Sequence, residues 1–262
     1  MKQVRLALSG SGFLGPIHAG AVCALMDAGV QIVEVSGSSG GSIVASLVAV
    51  GMDSDTIKRL AMSDIPKGII KFQPLVLLKK ALNSGEILHQ WLKDVIGELA
   101  FSDIKIPLTV MATDIQAGKP MAFNASETPD VLIADACRAS ASVPFVWQPA
   151  EINGRVYVDS GVVNNIPVDH LVSDDIQRIG IQVEDGSPSG SIATPIAYAK
   201  QCLNTMLNAN ENNIQAWAQR TGAKIIQVNA NPYDFLDPNL TAAQKSDLFS
   251  RGYFSVTTKL LA

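Results

Sequence analysis

Val30-Gln31-Ile32-Val33-Glu34-Val35-Ser36-Gly37-Ser38-Ser39-Gly40-Gly41-Ser42-Ile43-Val44-Ala45-Ser46-Leu47-Val48 reads as a strand, a turn of serines and glycines, and a helix. The β-branched run from Val30 to Val35 suits a buried strand. Ile43, Val44, Leu47 and Val48 then recur on one side of a helix. Between them Gly37-Ser38-Ser39-Gly40-Gly41 fits G-x-S-x-G, in which a central serine sits on a tight strand-to-helix turn that small neighbours permit. Ser39 holds that central position, and the helix starting there favours negative charge nearby. A plain glycine-serine turn entering an ordinary helix fits the same five residues, so the pattern needs support from elsewhere.

Upstream, Val4 to Leu8 reads as another buried strand, Ser9-Gly10-Ser11-Gly12 as a turn, and Ile17, Val22, Leu25 and Met26 as a helix that Gly29 ends. Strand, glycine turn and helix thus occur twice before residue 50. The first turn, Gly10-Ser11-Gly12-Phe13-Leu14-Gly15, offers consecutive backbone N–H groups of the kind an oxyanion hole requires. It also matches G-x-G-x-x-G, and Glu34 lies nineteen residues beyond Gly15 at the end of the second strand. That is the arrangement of a dinucleotide site, with the acid on the ribose. The first thirty-five residues leave the two readings level. A nicotinamide enzyme has no use for a nucleophile elbow directly after that acid, and this chain has the elbow.

Further strands are expected at Ile106–Thr113, Arg155–Val158, Ile176–Val183 and Lys224–Val228, and helices at Val131–Cys137 and about Pro195–Gln219. Thr241-Ala242-Ala243-Gln244 is a capping box opening a last helix. Alternation of this kind predicts an α/β layered fold with a mostly parallel sheet. With no repeat and no low-complexity linker, residues 1–262 are expected to form one domain. The stretch Lys67–Ile96 mixes apolar residues with Lys67, Lys71, Lys79 and Lys80. It reads as a cap helix with solvated lysines or, alternatively, as a lid or lipid-facing surface.

The 262 residues are 47% hydrophobic and 17% charged, ample for a buried core. A net charge of −4 gives no field that gathers nucleic acid. Cys23, Cys137 and Cys202 show neither metal-ligand spacing nor a disulfide framework, so no metal is expected and a reducing compartment fits. Without a signal-like N-terminus or an apolar run long enough to span a bilayer, the expectation is a cytoplasmic protein by default, export without a cleavable signal being left open. Membrane contact would then be peripheral.

Val156-Tyr157-Val158-Asp159-Ser160-Gly161 delivers an aspartate from a strand end into a glycine turn. Alone, Asp159 would be a turn cap. Together the three elements resemble the patatin-like phospholipase family: a glycine-rich loop after the first strand, G-x-S-x-G after the second, and an Asp-Gly turn much later. His18-Ala19-Gly20, the stretch Ala136 to Pro144, and Asn164-Asn165-Ile166-Pro167 belong to the same likeness. The resemblance implies a three-layer α/β/α fold, Ser39 as nucleophile, Asp159 as base, and Gly10, Ser11 and Gly12 as oxyanion hole. Gly15, Gly37, Gly40, Gly41 and Gly161 support the motifs. Ser11, Leu14 and Ser160 depart from it, standing where the family has glycine, a basic residue and glycine.

The chemistry implied is cofactor-free hydrolysis of phospholipid, lysophospholipid or other fatty-acyl esters through an acyl-enzyme, with acyl transfer a variant. A nucleotide-binding protein and a degenerate lipid-binding module are the alternatives. A Ser-Asp-His triad would need His170, the one histidine after Asp159. Only two strands precede Ser39, however, where the triad fold has several. His18 is expected to pack near the glycine loop and His89 to be solvated.

Overall fold

Val4, Leu6 and Leu8 are fully buried on one side of the first strand, and Ala7 is fully buried on the other, where it meets Val168 and Leu171. Burial on both faces makes this an interior strand with layers above and below. The structure is a computed structural model that describes residues 2–70, 81–184, 198, 201–202, 205 and 213–261. Its strands are β1 (Gln3–Leu8), β2 (Gln31–Ser38), β3 (Ala81–Asn83), β4 (Leu108–Asp114), β5 (Lys119–Phe123), β6 (Phe145–Trp147), β7 (Ala150–Ile152), β8 (Arg155–Val158), β9 (Gln177–Glu184) and β10 (Lys224–Asn229). The helices are α1 (Pro16–Asp27), α2 (Gly40–Ala49), α3 (Ser54–Met62), α4 (Glu86–Ile96), α5 (Ile133–Ser140), α6 (213–221) and α7 (Ala242–Val256).

An eight-stranded sheet has the order β10-β9-β1-β2-β4-β8-β7, with β5 also on β4. The five strands from β10 to β4 are parallel, and β5, β7 and β8 add antiparallel pairs. The main core lies on one face, under α1, α2, α5 and α7; on the other face Ile214 and Trp217 of α6 join Ala7 and Leu171. The fold is therefore α/β in three layers.

One detail of register positions the site. β5 takes one edge of β4 across Val110–Asp114, which leaves β2 and β8 the other edge. β2 uses Leu108–Met111 there and β8 uses Thr113–Asp114, running in the opposite direction. Their C-terminal ends, Ser38 and Val158, thus meet head to head beside Ala112. The next residues of the two strands are Ser39 and Asp159.

The Thr241 capping box forms, its hydroxyl accepting from the Gln244 N–H and the Gln244 side chain from the Thr241 N–H. Within Lys67–Ile96, α4 turns Leu88, Leu92 and Ile96 inward as a packed cap helix; residues 71–80, with most of the expected lipid-facing group, lie outside the described residues. Of the helix expected over Pro195–Gln219, mainly residues 213–221 are described.

Candidate active site

Ser39 is the N-cap residue of α2, a position where serine ordinarily turns its hydroxyl onto the helix's free N–H groups. Here it makes no such cap. Its Oγ donates instead to Asp159 Oδ2 at 2.6 Å. The diversion accompanies a backbone at φ 48°, ψ −126°, a conformation costing about 1–3 kcal/mol for a non-glycine residue. Such strain persists only where the surroundings over-determine it, and four serines do so. The Ser39 N–H is directed at Ser140 Oγ (2.8 Å) and Ser160 Oγ (3.1 Å), while Ser42 Oγ donates to Ser39 O (2.6 Å). Ser38 Oγ closes the group on Ser160 Oγ at 2.5 Å.

Asp159 is held equally firmly. The Gly161 N–H donates to its Oδ1 (2.8 Å), Thr113 Oγ1 to its carbonyl (2.9 Å), and its own N–H to Ser142 O (2.9 Å). Burial drives its carboxyl up from 3.8 to about 6, opposed by the hydrogen bonds from Ser39 and Gly161.

The glycine loop lies against this pair. Gly12, at φ +52°, and Gly40 are packed so closely that a Cβ on Gly40 would lie 2.4 Å from Gly12 O. Gly37, next to last in β2, backs onto the Ser42 backbone and Gly41 onto Ser9 O, each too tightly for a side chain, whereas Gly15 has open space around it. The Gly10 N–H does not face the site: it is donated to Asn165, to O at 3.0 Å and Oδ1 at 3.1 Å. The N–H groups of Ser11 and Gly12 carry no hydrogen bond among the described residues, and Ser11 Oγ is buried without a partner. His18, fully buried, meets Ser9 O through Nε2 at 2.8 Å, and burial drives its pKa down to about 4.

The other histidines stand apart. His89 pairs with Asp135 at 2.6 Å, a partner the reading of a solvated helix position missed, and His170 stands exposed at the end of a 3-10 turn. Glu34, the acid of the dinucleotide reading, is 7% exposed and bound to Arg5 Nη1 at 2.6 Å. Among the described residues no cluster of His, Cys, Asp or Glu could hold a metal ion. Nor is any helix of theirs long and apolar enough to cross a membrane.

From Ser39 and Gly40 an apolar cavity of about 130 Å³ extends along α2, between α1, α3 and α4. Sequence reasoning did not find the roles of Ser140 and Ser160 behind the elbow, nor that of Asn165 behind Gly10. Their types and positions were visible, but hydroxyl and amide partners so distant in sequence become apparent only when the strands are joined.

The patatin-like phospholipase profile matches residues 6–172. An uncharacterized NTE family protein of Mycobacterium tuberculosis is 32% identical over 167 residues, covering 63% of this chain and 44% of that protein. The aligned part is therefore under half of that relative's length. A probable lipid hydrolase of Invertebrate iridescent virus 6 is 25% identical over 264 residues, covering 94% and 85% of the two chains. Among solved structures, VipD from Legionella pneumophila superposes with a TM-score of 0.61 at 17% identity, over 98% of this chain and 66% of that one, a likeness of fold alone. With the profile extending from β1 past the Asp159 turn, this chain belongs to the patatin-like phospholipase family.

Proposed function

We propose that this protein is a lipid acyl hydrolase that works through a Ser39–Asp159 dyad on phospholipid, lysophospholipid or related fatty-acyl esters. The observation that carries the reading is the 2.6 Å contact from Ser39 Oγ to a buried carboxylate, on a strained elbow that opens into an apolar cavity. Family membership and the likeness to a relative described as a probable lipid hydrolase support the substrate class. The expected single domain is retained in the proposal, because β9 and β10, beyond the matched residues, complete the same sheet.

Ser39 Oγ attacks the acyl carbonyl as its proton passes to Asp159 Oδ2. The N–H groups of Ser11 and Gly12 receive the developing oxyanion, each such donor being worth roughly 3–4 kcal/mol. Collapse expels the alcohol, which takes the proton from Asp159. Water then attacks the acyl-enzyme, gives its proton to Asp159, and the fatty acid leaves as Ser39 regains it. A carboxyl at about 6 is a better base than one at 3.8 and remains ionised at neutral pH.

Hydrolysis of p-nitrophenyl esters by wild type and Ser39→Ala tests this reading. Wild type is expected to turn over and the folded variant to lose at least about a thousandfold in kcat. A variant retaining a tenth of wild-type activity would remove Ser39 from the role.

A further inference from the structure

Val143 and Trp147 both line the cavity, and the chain between them leaves its wall and returns in a tight turn. The Val146 N–H donates to Val143 O at 3.1 Å and the Trp147 N–H to the same oxygen at 3.0 Å. Pro144 and Phe145 are then the central residues, with Phe145 at φ +69°. Proline followed by a positive φ is the pattern of a type II turn, whose second central position favours glycine or asparagine. A bulky aromatic residue is strained there. The base of the turn imposes the conformation. Asn83 donates from Nδ2 to Val146 O at 3.0 Å and accepts the Gln148 N–H on its carbonyl at 2.8 Å, while Trp147 donates from Nε1 to Ile69 O at 3.2 Å. The tip gains little packing in return, because Phe145 is 61% exposed. Strain held by a residue that the fold hardly uses points to a use outside the fold.

The position of the tip narrows that use. Ser142, three residues back, accepts the Asp159 N–H on its carbonyl at 2.9 Å, so the Cα atoms of Phe145 and Ser142 are at most about 11 Å apart. From Ala139 to Ala150 the chain carries no charged residue. An apolar, uncharged tip rooted in the cavity wall beside the dyad suits hydrocarbon, which has no charge to complement. We infer that Phe145 is an anchor that enters the hydrocarbon of a lipid surface and sets the cavity against it. The inference rests on the lipid hydrolase reading and adds to it that the substrate is drawn from an aggregated lipid phase.

The test measures co-sedimentation of wild type, Phe145→Gly and Phe145→Trp with phosphatidylcholine vesicles, with thermal melts and with kcat/KM for dissolved p-nitrophenyl butyrate as companions. Wild type is expected to bind the vesicles. Phe145→Gly should bind about tenfold more weakly, the factor for keeping one phenyl ring out of hydrocarbon, and Phe145→Trp at least as well as wild type. Both variants should hydrolyse the dissolved ester within about twofold of wild type. Phe145→Gly should also melt no lower than wild type, since glycine takes a positive φ without strain. A wild type that leaves the vesicles unbound, or a glycine variant that binds them equally, overturns the anchor. So does a glycine variant that fails to fold or melts several degrees lower, which makes the ring a packing group. A loss on the dissolved ester as large as the loss of vesicle binding assigns the ring to the cavity instead, and a dimer that becomes monomeric in Phe145→Gly assigns it to a second copy; either result overturns the anchor. If wild type hydrolyses no ester the hydrolase reading fails by itself, and vesicle binding still decides the anchor.

Discussion

Burial lifts the Asp159 carboxyl to about 6, against the pull of hydrogen bonds from Ser39 and Gly161. In the dyad reading the ionised form is the base, so kcat/KM should climb tenfold per pH unit below about 6 and level off above it; a flat profile through that value would contradict the assignment. The same shift has a sign for stability. Between 3.8 and about 6 the folded protein binds a proton that the unfolded chain has released, so stability falls as pH rises through that window and is level above it. Asp159→Asn should accordingly be inactive yet more stable than wild type at neutral pH, by up to about 3 kcal/mol, with the gain fading in acid; denaturant titrations at the two pH values read it. Ser160 is the other residue to probe, since its hydroxyl receives the Ser39 N–H and ties Ser38 and Ser140 to the elbow. Ser160→Gly should lower kcat about ten- to hundredfold with little change in KM, as expected when a reacting atom is misplaced. An unchanged kcat would make the hydroxyl group a packing feature only.

Helix α5 is linked to the rest of the site by Arg138, a buried guanidinium whose pKa burial drives down to about 10. It donates to Ser84 O, Gly85 O and Gln148 O, fastening the turn before α4 to the segment after β6. Gly85 sits at φ +82° with room for nothing more: a Cβ would lie 1.9 Å from Arg138 Nη2. Gly51 has a similar φ of +86° but open space. Gly85→Ala should therefore cost about 1–3 kcal/mol more than Gly51→Ala in chemical denaturation, the excess being the displaced arginine. Equal costs would show that the arginine yields freely. The long periodic elements were legible in the sequence: β1, β2, α1, α2 and α7 lie where their apolar spacing and caps put them. Helix α5 is Ile133–Ser140 rather than Val131–Cys137, because Leu132 is extended and bridges Ala100. The short strands β3, β5, β6 and β7 escaped reading; β6 begins on Phe145 at φ +69°, a conformation no propensity favours for an aromatic residue.

At the scale of the whole molecule, the chain brings two strand ends together on one edge of β4 and hangs a serine on one and an aspartate on the other. Ser39 was marked by its own motif, whereas Asp159 alone read as a turn cap and was singled out by the joint presence of the three elements and the resemblance they carry. The meeting itself depends on an antiparallel return by β8 that no local pattern encodes. The loop was half legible: glycine spacing marked it, but the capture of the Gly10 N–H by Asn165 comes from a segment 155 residues away. The central claim is that Ser39 is the nucleophile, activated by Asp159. Treating the intact protein with a fluorophosphonate and locating the adduct by mass spectrometry tests it directly. The account predicts modification at Ser39 in wild type, much slower modification in Asp159→Asn, and wild-type labelling in His170→Ala. An adduct on a different serine, or none on folded wild-type protein, would contradict it.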